Sequence, residues 1–259
     1  MTLPYLVDKC QTAFVAGRQI SNNILLTQEF LHKYHLGHHP PRCTMKVDLK
    51  KAYDSVHWDF IINVLTIMKF PPKMINWIKE CITTPSYSVN INGEAVGFFK
   101  GGKGLRQGDP ISPYLFVLAM EVLNGIIESK ARNNKNFTFH WNCGQTHTVM
   151  LAFADDLLLF SHADVCSIRI LKDCLEEFYW LSGLSANTNK SEVFLCSNDP
   201  SLTQNIADVL GFKVGSLPIR YPGVPLISTR LSIRDFGGLD PLFYPYLLGF
   251  NLYSSQIYY

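Results

Sequence analysis

LAFADDLLLF, residues 151–160, is the stretch from which the architecture is read. Eight of its ten side chains are apolar or small, and two adjacent aspartates, Asp155 and Asp156, sit in their midst. Burying a carboxylate without a partner is costly, and a like charge beside it adds to the cost. Two apolar arms broken at Ala154, Asp155 and Asp156 read as strand, tight turn and strand, which puts the acids at a hairpin tip. Turn geometry accounts for one aspartate. It does not account for two, so the pair points to chemistry that needs concentrated negative charge.

Upstream, MKVDLKKAYDS places Asp48 at the end of another short apolar strand, 43–49. Around these strands the periodicity predicts helices over 22–35, 56–68 and 73–82, the first capped by Ser21 or Asn22 and the second by Asp54 or Ser55. SYSVNINGEAVGFF, 86–99, predicts a hairpin about Asn92-Gly93, the dipeptide suited to a type I′ turn. A long apolar helix is predicted from Ser112 as N-cap, with Pro113 at the first helical position, to about Ala131. Another runs from Asp164 and is ended by Gly183, followed by a strand at 191–197 and a short helix ending at Gly211. Helices alternate with hairpins, which predicts an α+β fold: an antiparallel sheet with helices packed on one face. Three carboxylates at the ends of adjacent strands would converge, and such a cluster resists full ionisation unless cations neutralise it. Magnesium suits it, and a pair of ions ~3.5–4 Å apart serves in-line displacement at phosphorus.

The chain has 259 residues, 47% of them hydrophobic, enough for a substantial core. No uninterrupted apolar run reaches the ~18 residues of a membrane span, and the first thirty residues lack a secretory signal. The expectation is an intracellular protein of the nucleus or cytoplasm, with no membrane partner. The seven cysteines are scattered and form no C-x-x-C pair, as expected of reduced, mostly core thiols. The histidines His32, His35, His38 and His39 lack adjacent cysteine or carboxylate ligands and are not read as a metal site. Net charge is only +2, but its distribution is uneven. From Lys33 to Arg106, eleven Lys and Arg stand against five Asp and Glu; from Gln107 to Phe212, six stand against twelve. Ordinary surface variation accounts for this, and so does a protein that holds a polyanion with one part and cations with another. Nothing in the sequence indicates an oligomeric state.

Four stretches, in this order and spacing, resemble the reverse transcriptases of non-LTR (LINE-type) retrotransposons, most like those of plant genomes. They are QTAFVAGRQISNNILL (11–26), KVDLKKAYDSVHWDF (46–60), GLRQGDPISPYLF (104–116) and FADDLLLFS (153–161). GLSANTNKSEVF (183–194) and YPGVPL (221–226) extend the resemblance downstream. It implies a palm-and-fingers polymerase fold and an RNA-directed DNA polymerase that adds dNTPs to a DNA primer on an RNA template with two Mg2+ ions, Mn2+ being a substitute. Asp48 and Asp155 would ligate both ions, the Leu49 carbonyl would complete one shell, and Asp156 would add charge, hold the turn and make a weaker metal contact. Tyr53 would lie under the incoming sugar, where a flat ring leaves no room for a 2′-hydroxyl. Gln107 and Gly108 would meet template or nucleotide, with Gly104 also letting the backbone come close. Arg106 would meet phosphate, and Arg18 triphosphate or template backbone. Lys190 would stand near the leaving pyrophosphate, and Tyr221 and Gly223 would grip the primer.

The implied division is partial fingers at 1–41, palm with a fingers-side hairpin at 42–227, and a divergent thumb stub or disordered tail at 228–259. Pro222 stands where the family usually carries leucine, and it removes a backbone donor. Such elements usually encode an endonuclease ahead of the polymerase, and none is expected within these 259 residues. After Asp240 the tail loses charge and helical pattern, so the thumb is expected to be missing or rudimentary. The alternative is a catalytically dead retroelement remnant that at most binds nucleic acid.

Overall fold

The computed structural model describes residues 3–34, 36, 40–143, 146–221 and 224–228. Three of the clustered histidines (His35, His38, His39), the Pro222-Gly223 pair and the tail from residue 229 therefore lie outside the described residues.

In chain order the elements are α1 (Ile20–Leu31), β1 (Arg42–Val47), α2 (Ala52–Ser55), α3 (Trp58–Ile67), α4 (Pro72–Thr83), β2 (Ser86–Ile91), β3 (Glu94–Lys100), α5 (Ser112–Asn133), β4 (Met150–Phe153), β5 (Asp156–His162), α6 (Val165–Ser182), β6 (Glu192–Cys196), α7 (Pro200–Leu210), β7 (Lys213–Val214), β8 (Ile219–Tyr221) and β9 (Val224–Leu226). No helix among the described residues is long and apolar enough to cross a membrane.

The main sheet runs β4-β5-β1-β6-β7. Its pairings are antiparallel except the last, where β7 lies parallel to β6 at the edge, so the sheet is mixed rather than wholly antiparallel. β7 is reached from β6 through α7, the kind of helical crossover that a parallel neighbour needs. Alternation sorts β1 into two faces. Cys43, Met45 and Val47 are buried in the core to which α3, α5 and α6 contribute. Thr44 and Lys46 point the other way. At the Thr44 end that second face is covered: Phe160, opposite Thr44, packs edge-on against Phe30 of α1 at 5.0 Å and near His140 at 6.0 Å. Toward Lys46 the cover thins, and Lys46 is only partly buried.

Local sequence explains most elements, with four corrections. The first helix starts at Ile20 after Gln19 and stops at Leu31, where Lys33 turns left-handed (φ 61°). The 56–68 helix starts later than read, at Trp58, because Val56 is extended (ψ 133°) and separates it from the short α2 that precedes it. His57 rather than Asp54 or Ser55 precedes α3. Ser112 is the first helical residue of α5 rather than its cap; Asp109 supplies the acceptors instead, its carbonyl taking the Ser112 N–H at 3.1 Å and its carboxylate the Ile111 N–H at 3.2 Å. The Asn92-Gly93 hairpin forms as read, both residues at positive φ (51° and 93°), as a type I′ turn requires. Asp164 caps α6 through the Ser167 N–H at 2.8 Å.

Gly183 closes α6 at φ 81°, and a Cβ there would stand 2.6 Å from His57 Nε2 and 2.8 Å from the Ser55 carbonyl. Gly183→Ala is therefore expected to cost about 2–3 kcal/mol, read as a lowered urea midpoint with an unchanged slope.

Candidate active site

The hairpin tip forms where β4 and β5 meet: Phe153 pairs with Asp156, leaving Ala154 and Asp155 as the two turn residues. Ala154 sits in the left-handed region, φ 55°. In the neighbouring pair Lys46 lies opposite Leu158 and Val47 opposite Leu157. One step further the same register sets Asp48 across from Asp156, on the face where the cover has ended. Acids far apart in the chain thus meet at one end of the sheet.

Asp48 is held on three sides by the 187–191 segment. Its N–H donates to Ser191 Oγ (3.1 Å), its carbonyl accepts the Asn187 N–H (2.7 Å), and its Oδ2 accepts from Asn187 Nδ2 (3.0 Å). The Leu49–Ala186 bridge that accompanies this uses the carbonyls of Asp48 and Ser185, so the Leu49 carbonyl takes no part in it. Asp48, Leu49 and Asp155 line one open cleft of about 600 Å3, together with Tyr53, Gln107 and Lys190. Asn187→Leu removes the hydrogen bond that orients Asp48. Divalent-ion affinity measured by titration is expected to fall about 10-fold, the lower end of the range for lost outer-shell partners.

The electrostatics agree. The Asp156 carboxyl is pushed up from its ordinary value by burial first, then by the charge of Asp155; Lys46 opposes this and Asp48 adds to it. None of the three acids has an ion-pair partner among the described residues. Such a donor set, all hard oxygens in excess of positive charge, fits divalent cations. Among the described residues no three His, Cys, Asp or Glu side chains stand close enough to close a shell by themselves. A hard cation here would also draw on a backbone carbonyl and water.

Tyr53 stacks on Phe116, 4.8 Å between ring centroids with 17° between planes, which fixes it as a flat platform in the cleft. Burial, with Asp155 adding to it, holds its phenol above its ordinary value. Gly108 has φ 88° and open space where a Cβ would point. Gly104 answers a different need: at φ 91° a Cβ would stand 2.8 Å from the Asp54 carbonyl, so its close approach is to the chain itself.

Other sequence-predicted residues sit elsewhere. Arg18 spends its guanidinium on backbone carbonyls, those of Gln11 (2.7 Å), Val7 (2.6 Å), Pro4 (3.2 Å) and Asp8, and lies beside a separate cavity of about 620 Å3. It ties the N-terminal segment together rather than reaching the cleft. Arg106 is exposed and paired with Asp109 at 2.7 Å. Tyr221 is 1% exposed, and burial pushes its phenol up; its ring is core and offers no surface to a nucleic acid.

Three further residues complete the site. Asn187 and Ser191 grip Asp48, and Lys46 links the sheet to the β8–β9 hairpin, its Nζ donating to the Arg220 carbonyl at 2.8 Å. Only the parity of Lys46 with Asp48 was a visible signal.

The chain matches the reverse transcriptase (RNA-dependent DNA polymerase) family over residues 2–226. It is 28% identical over 173 residues to the retrovirus-related Pol polyprotein of the type-2 retrotransposable element R2DM of Drosophila melanogaster, which covers 67% of this chain and 16% of that protein. It is 25% identical over 193 residues to the transposon TX1 149 kDa protein of Xenopus laevis, 74% of this chain and 14% of that one. An uncharacterized mitochondrial protein of Arabidopsis thaliana is 39% identical over 66 residues, 26% of this chain and 54% of its own length. The chain thus spans about a sixth of the length of the retroelement proteins. Its fold is similar to that of telomerase from Candida albicans, solved with the TWJ fragment of telomeric RNA: TM-score 0.58 at 14% identity, 85% of this chain and 34% of that one. Telomerase from Candida tropicalis gives 0.57 at 13% identity, over 90% and 35%. The fold is that of a palm-and-fingers polymerase.

Proposed function

The chain belongs to the reverse transcriptase (RNA-dependent DNA polymerase) family, and from that premise we propose that it extends a DNA primer on an RNA template with dNTPs at the cleft beneath the β4–β5 tip. One observation carries the reading: Asp48, just past the end of β1, and Asp155, in the β4–β5 turn, line a single cleft with Tyr53, Gln107 and Lys190. Asp48, Asp155 and the Leu49 carbonyl would hold two Mg2+ ions, or Mn2+ in their place. Bound there, such ions supply Lewis acidity and charge neutralisation at the reacting phosphate. The primer 3′-oxygen forms a bond to the α-phosphorus, the bond to pyrophosphate breaks, and the hydroxyl proton leaves to solvent.

The chain's own side chains do the rest. Tyr53 underlies the sugar and fills the space a 2′-hydroxyl needs. Gln107 hydrogen-bonds the template or nucleotide, Gly108 lets the backbone approach it, and Lys190 neutralises the departing pyrophosphate. Asp156 concentrates charge from behind the turn. In this reading residues 1–41 are partial fingers and 42–227 the palm, with β2–β3 as its fingers-side hairpin.

The test is extension of a labelled DNA primer annealed to RNA, with Mg2+ and dNTPs. Template-directed, metal-dependent additions support the proposal. No addition with either metal would leave the dead-remnant alternative standing. In the same assay Tyr53→Val is expected to lower the preference for dNTP over rNTP on the order of 10²-fold in kcat/KM, since only the ring excludes the extra hydroxyl.

A further inference from the structure

The peptide at the tip of the catalytic hairpin is held by a side chain from far upstream. Ala154 is 8% exposed, so its N–H and C=O cannot rely on water, and its φ of 55° is one that alanine rarely adopts. Gln11, 2% exposed, meets both groups at once. Its Oε1 accepts the Ala154 N–H at 3.0 Å, and its Nε2 donates to the Ala154 carbonyl at 3.4 Å. The same Oε1 accepts the Ala13 N–H at 2.9 Å, which fixes the amide's orientation. Around it the Gln11 segment bridges to β4 in parallel: the Ala152 N–H donates to the Cys10 carbonyl (2.9 Å) and the Thr12 N–H to that of Ala152 (3.1 Å). Asn23 Nδ2 donates to both carbonyls, at 3.2 Å to Cys10 and 2.9 Å to Ala152.

We propose that Gln11 is a positioning residue for the acidic tip: its amide clamps the Ala154 peptide in the left-handed turn and so sets the direction in which Asp155 leaves it. A primary amide carries a donor and an acceptor side by side, which matches the N–H and C=O that Ala154 presents from the two peptides flanking its Cα. Leucine carries neither, glutamate lacks the donor when ionised, and asparagine is one carbon short. The Ala154 carbonyl belongs to the peptide that joins Ala154 to Asp155, so a bond to that oxygen limits rotation of the plane from which the Asp155 side chain springs. Gln11 itself does not line the cleft. This inference rests on the reading of Asp155 as a metal ligand.

The test measures Mn2+ affinity by paramagnetic resonance of the free ion, exchange of the Ala154 amide, and primer extension, on the full chain. Gln11→Leu is expected to weaken Mn2+ binding about 10-fold or more, to speed Ala154 amide exchange, and to lower kcat about 10–100-fold while KM for dNTP stays within about 2-fold. Ala154→Gly adopts the turn without strain, so in the Gln11→Leu background it is expected to restore part of the Mn2+ affinity. Should Gln11→Leu fail to fold, Gln11→Glu carries the comparison; it keeps the acceptors, loses the donor and is expected to fall between wild type and Leu. Unchanged Mn2+ affinity with a still protected Ala154 amide overturns the proposal. So does a loss of thermal stability with kcat and metal affinity intact, the signature of packing alone. If the wild type extends no primer but Gln11→Leu still weakens Mn2+ binding, the polymerase reading fails and the positioning inference stands.

Discussion

Asp155→Asn is expected to reduce primer extension by about 10³-fold or more, close to 4 kcal/mol of transition-state stabilisation. Asparagine keeps the size and shape of aspartate, so the turn survives and the change isolates charge. Asp155 lines the cleft and carries no ion pair among the described residues, so its charge is available to a cation. It is also a cause of the raised Asp156 carboxyl. Losing that repulsion should therefore raise the melting temperature while activity disappears, the opposite signs expected where function holds like charges together. A variant that is both inactive and less stable would mean that Asp155 serves the fold, and the catalytic assignment would go with it. Asp48→Asn should match the activity loss without the same gain in stability, because its carboxylate is already held by Asn187.

Acid is expected to destabilise the fold through one buried imidazole, that of His140. His140 is fully buried, stacked near Tyr34 and beside Phe30 and Phe160. Its Nδ1 accepts the Asn142 N–H at 3.2 Å, which leaves Nε2 to donate to the Tyr34 hydroxyl at 2.9 Å; that hydroxyl in turn meets Thr44 Oγ1 at 2.8 Å. The network needs the neutral ring. Burial first, then the charges of Arg42 and His162, lower its pKa from 6.5 to about 3. The unfolded chain takes up this proton near pH 6.5 and the folded one only near 3, so between them the unfolded state binds more. Stability from this group is complete above pH 6.5 and drains as pH falls, about 3 kcal/mol by pH 4 and about 4–5 in all. Urea unfolding at pH 7, 5.5 and 4 reads the slope directly. His140→Gln should lower stability at pH 7 yet flatten the slope between pH 6.5 and 4. An equal slope in that variant would place the acid sensitivity in another group.

Much of the fold follows from short-range rules. The hairpin at 151–160 follows from two apolar arms around acids, the hairpin at 86–100 from Asn92-Gly93, and the end of α6 from Gly183. The errors arose where a local signal competed with a distant partner. Ser112 has the chemistry of a cap, but Asp109 reaches the helix start first. Arg18 looks like a phosphate ligand by type, yet folding surrounds it with four carbonyls whose combined demand outweighs exposure to solvent. Tyr221 is implied by the resemblance to grip the primer, but its ring completes the core.

The amino-acid order alone established the acids, their place at strand ends and the family they mark, because side-chain type and turn propensity act over a few residues. What it could not contain was the register that sets Asp48 across from Asp156, the grip of Asn187 and Ser191 on Asp48, and the reach of Gln11 to Ala154. Those depend on which strand ends lie side by side after collapse. Hydrogen bonds between residues more than a hundred positions apart leave no periodic trace in the chain, since they gain their strength only when packing has removed the competing water.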